Sequence, residues 1–298
     1  MKTGLIMEGG AMRGMFTAGV TDVLMENGIT FDGAVGVSAG ATFGCNVKSL
    51  QPGRAIRYSR KYCGDWRFGS MKSFLHSGSM FDYDFCYRLL PEKLDPFDHE
   101  AFAANPMHFY VVVTDLESGR PAYKLLENGK GKDLAWICAS ASMPLVSKTV
   151  IINGKAYLDG GITDSIPLEF FQSLGYEKNV VILTRPDDYV KPPNPLMPIA
   201  KARYAKYPAF VEAMQNRHVM YNAETAYVRD QEEKGKAFVL RPPEALNVSS
   251  STTDPAELQR VYAIGRKTAQ AALPALISYL GGELPVATED CFDPEDPA

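Results

Sequence analysis

The side chain best placed by its neighbours to do chemistry is Ser38, within Asp32-Gly33-Ala34-Val35-Gly36-Val37-Ser38-Ala39-Gly40. The apolar run ending at Val37 predicts a short strand, and Ala41-Thr42-Phe43-Gly44-Cys45 predicts the start of a helix. A serine between two glycines on such a turn matches the nucleophile elbow, Gly-x-Ser-x-Gly, in which the hydroxyl is pushed out of the sheet. Gly36 and Gly40 suit it because the strained turn brings backbones too close for a Cβ. The positive end of the following helix faces any charge that develops beside the hydroxyl. In a chain with 25 glycines the five-residue pattern alone is a weak signal. Its setting between strand and helix makes Ser38 a candidate nucleophile.

A nucleophile needs donors for the oxyanion and a base. Two more glycine-marked loops follow apolar runs: Gly9-Gly10-Ala11-Met12-Arg13-Gly14 after Leu5-Ile6-Met7, and Asp159-Gly160-Gly161 after Ala156-Tyr157-Leu158. Loops at the C-terminal ends of parallel strands converge on one crevice. There the Gly9-Gly10-Ala11 backbone, with the N–H of Ala39, would face a tetrahedral oxygen; one such donor is worth about 3 kcal/mol of barrier.

The base is less obvious. Of His76, His99, His108 and His218, only His218 follows Asp159 and so permits the chain order Ser, Asp, His. It falls mid-way along a predicted helix, where a surface or packed imidazole is the ordinary reading. The other option is a carboxylate acting directly on the serine. Asp159 leads because its two glycines permit close approach, but a free pKa near 3.9 requires burial to make it basic. Asp115, at the end of the apolar strand Phe109 to Thr114, is a rival whose ordinary role would be a turn or cap.

The elements that must position these groups read strand, glycine loop, helix, strand, serine turn, helix, the opening of a parallel α/β sheet. Asn153-Gly154 between Thr149–Ile152 and Lys155–Leu158 predicts a hairpin that delivers Asp159 to a strand end. Residues 51–63 predict a helix with Arg54, Arg57, Arg60 and Lys61 toward one face. That face is either solvated or attracted to anionic head groups. The aromatic stretch 64–84 shows no clean period and reads as a packed loop or an apolar flap. Arg185 to Pro198, rich in Pro and Asp, predicts a long loop. Beyond it come a helix over 205–233, a strand at Phe238-Val239-Leu240 and a helix from Asp254-Pro255 interrupted at Pro274. The acidic end from Gly282 predicts a poorly ordered tail.

Composition narrows the class. With 298 residues, 46% of them hydrophobic, the chain can bury a sizeable core. A net charge of −4 argues against a nucleic-acid binder. Five widely spaced cysteines, with no Cys-x-x-Cys, suit a reducing compartment and neither a disulfide framework nor a zinc site. The N-terminus lacks a signal-peptide run and nowhere do 18 apolar residues run together, so a cytoplasmic protein without a transmembrane segment is expected. No metal or organic cofactor is implied, and the oligomeric state is not legible.

Taken in order, these motifs resemble the patatin-like phospholipase family. Gly9-Gly10-Ala11-Met12-Arg13-Gly14 is similar to its oxyanion motif, Gly36 to Gly40 to its serine motif, and Asp159-Gly160-Gly161 to its Asp-Gly-Gly/Ala. Thr114-Asp115-Leu116 and Ala139 to Pro144 are also similar, so the likeness covers about residues 4–185. It implies a three-layer α/β/α fold with a mostly parallel sheet, and a Ser38–Asp159 dyad cleaving lipid or other acyl esters. It also implies an oxyanion hole at Gly9, Gly10, Ala11 and Ala39, supported by Arg13, Gly14, Gly36, Gly40, Gly160 and Gly161. Ala11 stands where the family usually has glycine, and alanine disfavours φ > 0. Arg13 is expected to pair with a carboxylate or a lipid phosphate, and peripheral contact with a membrane surface fits such a substrate. The expected organisation is a hydrolase domain over 1–189 and a mainly helical region over 190–298.

Competing expectations are a Ser38–Asp159–His218 triad and a non-catalytic lipid- or nucleotide-binding protein. For nucleotide binding, Asp32 precedes its strand where a ribose-binding acid should end one, and no Gly-Lys-Ser/Thr follows the first glycine loop.

Overall fold

The computed structural model describes residues 1–282; the predicted acidic tail beyond them, with Cys291, lies outside the described residues. Among those described, eight strands form one sheet: β1 (Lys2–Met7), β2 (Gly33–Val37), β3 (His108–Asp115), β4 (Arg120–Leu126), β5 (Val150–Ile152), β6 (Lys155–Asp159), β7 (Tyr176–Ile182) and β8 (Ala237–Leu240). The order is β5-β6-β3-β2-β1-β7-β8, with β4 also on β3. β1 runs parallel to β2 and β7, β2 to β3, and β7 to β8, while β4, β5 and β6 pair antiparallel.

The helices are α1 (Gly14–Glu26), α2 (Ala39–Lys48), α3 (Arg54–Tyr62), α4 (Met71–Ser77), α5 (His99–Ala104), α6 (Lys132–Ser140), α7 (Leu168–Ser173), α8 (Met197–Arg203), α9 (Pro208–Glu233) and α10 (Pro255–Leu280). Phe85–Leu94 forms a π-helical segment that no periodicity announced. Strand residues alternate between two cores. Leu5, Met7, Ala34, Val111, Val113, Val180 and Ile182 pack with residues of α1, α2, α3, α6 and α10. Ile6, Val35, Val37, Val112 and Val181 pack with residues of α7 and α9. With both faces covered, these strands read as continuous apolar runs rather than alternating ones. The result is the expected three-layer arrangement.

The hairpin forms as predicted, with Asn153 at φ 53° and Gly154 at φ 77°, the two left-handed residues that a type I′ turn requires. The C-terminal region contributes a strand to the same sheet, since β8 pairs with β7. α10 continues through Pro274, against the expectation of a break. One missing N–H costs one helical bond, and close packing on α1 outweighs it: a Cβ at Gly19 would lie 2.2 Å from Tyr262 O, and one at Gly265 would lie 2.1 Å from Phe16 O. Of the α3 cations only Arg54 is buried; it and the exposed Arg57 pair with Asp95, at 3.3 and 2.7 Å, while Arg60 and Lys61 remain solvent-exposed.

Candidate active site

Strand pairing brings Ser38 and Asp159 together. β4 occupies one edge of β3 over Phe109 to Asp115. The other edge is shared: β2 pairs with it as far as Val37↔Val112, and β6, running the opposite way, ends on it at Val113↔Asp159. Two strands approaching along one edge from opposite directions therefore place the residue after Val37 beside Asp159. Ser38 Oγ donates a 2.7 Å hydrogen bond to Asp159 Oδ2.

Ser38 adopts φ 54°, ψ −118°, a conformation that costs of the order of 1–3 kcal/mol and persists only where neighbours hold it. They do. Its N–H donates to the buried Ser140 Oγ at 3.0 Å, and its carbonyl accepts from the N–H groups of Ala41 and Thr42, both at 3.0 Å. The flanking glycines are required by contact: a Cβ on Gly36 would lie 2.4 Å from Gly40 O, and one on Gly40 would lie 2.2 Å from Met7 O.

Asp159 is fixed by its N–H to Ser142 O (2.9 Å), by Thr114 Oγ1 to its carbonyl (2.8 Å), and by Gly161 N–H to Oδ1 (2.8 Å). Ser38 and Asp159 are 8% and 5% exposed. Burial raises the Asp159 pKa, partly opposed by the hydrogen bond from Ser38, by the nearby Arg217 charge and by the Gly161 N–H. A buried carboxylate of raised basicity in contact with a hydroxyl can take its proton.

The N–H groups of Gly10, Ala11 and Ala39 have no acceptor among the described residues. Gly9 is anchored through its carbonyl by Thr184 Oγ1 at 3.0 Å. Ala11 sits at φ 47°, the left-handed geometry its glycine-preferring position foretold. On the α1 side of the sheet, a cavity of about 100 Å³ opens against Ser38, Ala39, Ala11 and Met12. Its wall is apolar: Phe43 and Tyr58, Phe68 and Phe81 from the aromatic stretch, Tyr87 and Leu90 from the π-helical segment, and Leu134 and Ile137 from α6. Of the two readings of the stretch 64–84, packed loop or apolar flap, Phe68 and Phe81 are packed into the cavity wall, and Met71–Ser77 between them is helical.

The rival groups stand elsewhere. His218 hydrogen-bonds to neither Ser38 nor Asp159, and its Nδ1 is buried without a partner among the described residues. Asp115 Oδ1 accepts from the N–H groups of Glu117 and Ser118, a turn role, and its Oδ2 lies 3.9 Å from Lys155 Nζ. Among the described residues Arg13 makes no ion pair within 4.0 Å, and its Nε is buried without a partner. Sequence reasoning missed Ser140, although it lies in a stretch singled out as family-like, and it missed Arg217. The Arg217 Nε donates to Gly161 O at 2.6 Å, and no motif marks it. Among the described residues no group of three or more His, Cys, Asp or Glu is arranged to hold a metal, and no helix is long and apolar enough to cross a membrane.

The chain is 28% identical over 272 residues to the uncharacterized protein YjjU of Escherichia coli K12, covering 88% of this chain and 74% of that protein. It is 25% identical over 177 residues to lysophospholipase nte1 of Aspergillus fumigatus, covering 58% of this chain and 11% of that much longer protein. The crystal structure of VipD from Legionella pneumophila aligns over 92% of this chain and 67% of its own, with 13% identity and a TM-score of 0.47. Residues 207–281 match a domain of unknown function, DUF6363. Residues 5–171, which hold both glycine loops, the elbow serine and the hairpin aspartate, match the model for patatin-like phospholipase, and the chain belongs to that family.

Proposed function

We propose that the protein is a serine acyl hydrolase that cleaves carboxylic esters of lipids through a Ser38–Asp159 dyad. Asp159 Oδ2 takes the Ser38 hydroxyl proton as Oγ bonds to the acyl carbon. The carbonyl π electrons move onto oxygen, which the N–H groups of Gly10, Ala11 and Ala39 receive. Collapse breaks the bond to the alcohol, which leaves with the proton from Asp159. Water then attacks the acyl-enzyme, with Asp159 again the base and Ser38 the leaving group. The observation that carries this reading is the direct 2.7 Å contact between hydroxyl and carboxylate, with no imidazole between them.

A lipid acyl chain is the substrate group that fits the apolar cavity against Ser38, and the lysophospholipase named among the relatives is consistent with it. Exposed Met71 and Leu75 on α4 suit peripheral contact with a lipid surface. Unpaired Cys45, Cys63, Cys86 and Cys138 suit a reducing, cytoplasmic setting. In this reading residues 1–189 form the hydrolase domain, and the region after 190 adds β8 to its sheet and brings Arg217 of α9 to Gly161 beside the dyad.

The test is hydrolysis of p-nitrophenyl esters and of a lysophospholipid by purified protein. Ser38→Ala is expected to abolish both. Full activity in that variant would remove the dyad reading, and full activity in Asp159→Asn would reassign the base.

A further inference from the structure

Next to the oxyanion loop four cations gather without anionic partners. Arg13 comes from that loop, Arg185 and Lys191 from the segment after β7, and Arg217 from α9. None of the four forms an ion pair within 4.0 Å among the described residues. The Nε atoms of both Arg13 and Arg185 are buried with no hydrogen-bond partner. Buried polar atoms left unpaired are rare and costly, so two in one corner mark a place where an acceptor belongs.

The corner is built rather than accidental. Lys191 is pinned to α9 through its backbone, with its N–H to Asn222 Oδ1 at 2.8 Å and its carbonyl to Asn222 Nδ2 at 3.1 Å. Its ammonium lies 4.1 Å from the Tyr221 ring centre, and the Arg185 guanidinium lies 4.2 Å from that of Tyr189. The carboxylate in this corner is Glu8, and its oxygens already accept from Tyr221 OH at 2.7 Å and from Thr184 Oγ1 at 3.2 Å. The Lys191 pKa is pushed down to about 8, first by burial and then by the charge of Arg217, with Arg13 and Arg185 adding to it against the pull of Glu8. Arg13, Arg185 and Lys191 thus share the single carboxylate of Glu8, and Arg217 lies between this corner and Asp159.

Position relates this surplus to the reaction. Arg217 holds the carbonyl of Gly161, whose N–H holds Asp159 Oδ1. A Cβ at Gly161 would lie 3.1 Å from Asp159 Oδ1 and 3.4 Å from Arg217 Nη2, so the guanidinium and the catalytic carboxylate both lie against this glycine. The apolar cavity is walled by elements of the α1 face, whereas α9 packs on the opposite face. An ester carbonyl at Ser38 would have its acyl chain on one side and these cations on the other.

We infer that Arg13, Arg185, Lys191 and Arg217 form a binding site for the phosphate group of the substrate, so that the preferred ester is one whose alcohol portion carries a phosphate. This rests on the acyl-hydrolase reading above. Guanidinium forks match phosphate oxygens, and a multiply charged oxyanion suits a surplus of several cations better than a single carboxylate. The segment 185–191 and the DUF6363-matching α9 thereby acquire a role in substrate choice.

The experiment compares 1-oleoyl lysophosphatidic acid with 1-oleoylglycerol in neutral detergent micelles, as the ratio of their kcat/KM values, for the wild type, Lys191→Met, Arg185→Gln and Lys191→Arg. The inference predicts a ratio well above one in the wild type. It should fall at least about tenfold in Lys191→Met and Arg185→Gln through a raised KM for the phosphate ester, and largely recover in Lys191→Arg. Equal ratios in the wild type and Lys191→Met overturn it. A second arm measures binding to Ser38→Ala by calorimetry. Lysophosphatidic acid binding that weakens on adding Lys191→Met supports the headgroup site. Inorganic phosphate binding lost with Lys191, while lysophosphatidic acid binding is unaffected, overturns it in favour of a free-phosphate site. If no ester is turned over, the hydrolase reading fails, and the binding arm alone still decides whether the cations take phosphate.

Discussion

Replacing Asp159 by Asn should destroy activity while stabilising the protein, an opposition that follows from its burial. Asparagine is isosteric. Its Oδ1 can accept from Gly161 N–H, now 2.8 Å from Asp159 Oδ1, and its amide can donate to Ser38 Oγ, now 2.7 Å from Oδ2. No buried group is orphaned, but the base is gone. General-base assistance contributes about 10²–10⁴-fold, or about 3–5 kcal/mol of barrier, so kcat/KM for p-nitrophenyl butyrate should fall within or beyond that range. Stability moves the other way. The folded-state pKa of Asp159 is raised, chiefly by desolvation. A raised carboxylate pKa favours the protonated form in the fold, so its stabilising contribution is complete below the unfolded pKa and is lost as pH rises through the folded value. At pH 8 the ionised side chain is a net cost, and Asp159→Asn should melt higher than wild type. As pH falls toward the unfolded pKa the difference should shrink. Thermal melts at pH 8 and pH 5 with parallel kinetics make the test. A variant that is inactive and also melts lower at pH 8 would refute the reasoning, since Asp159 would then be a structural anion.

Three further expectations follow from individual contacts. Ser140→Ala leaves the Ser38 N–H buried and unpaired, a loss of about 1–3 kcal/mol; for a chain of this length that lowers Tm by roughly 2–5 °C, and an unchanged melt would mean the elbow does not lean on that hydroxyl. Ala11→Gly removes a left-handed alanine worth about 1–2 kcal/mol against about 0.4–1 kcal/mol of extra chain entropy. Calorimetry should therefore find it slightly more stable, and a lower Tm would contradict the strain argument. Leu134→Trp narrows the acyl cavity. Excluding two or three methylenes, about 2 kcal/mol, should lower the palmitate-to-butyrate rate ratio about thirtyfold, and an unaltered ratio would place the acyl chain elsewhere.

What could be read from sequence was whatever demands a particular backbone. Gly36 and Gly40 are dictated by contacts with neighbouring carbonyls, and Asn153-Gly154 by two left-handed turn residues, so each leaves a local signature. The elbow, the oxyanion loop and the hairpin end were legible for that reason. Contacts between distant segments leave no such mark. That β2 and β6 share one edge of β3, that Ser140 supports Ser38, and that Arg217 reaches Gly161 depend on register and packing between parts of the chain far apart in sequence. The region after residue 190 was visible as helices because periodicity is local. Its strand at Phe238-Val239-Leu240 was legible too, but the pairing of that strand in the common sheet and the Gly19–Gly265 helix crossing were not, since they depend on partners far away in the chain. The π-helical segment escaped because its period is not that of an α-helix.

The central claim is that a carboxylate alone activates the elbow serine. Its most direct test is the rate at which a fluorophosphonate modifies the purified protein, with the adduct located by peptide mass spectrometry. The dyad predicts one adduct on Ser38, none in Ser38→Ala, and labelling slowed at least about a hundredfold in Asp159→Asn with no change in His218→Ala. An adduct elsewhere, or Asp159→Asn labelling at the wild-type rate, would contradict it.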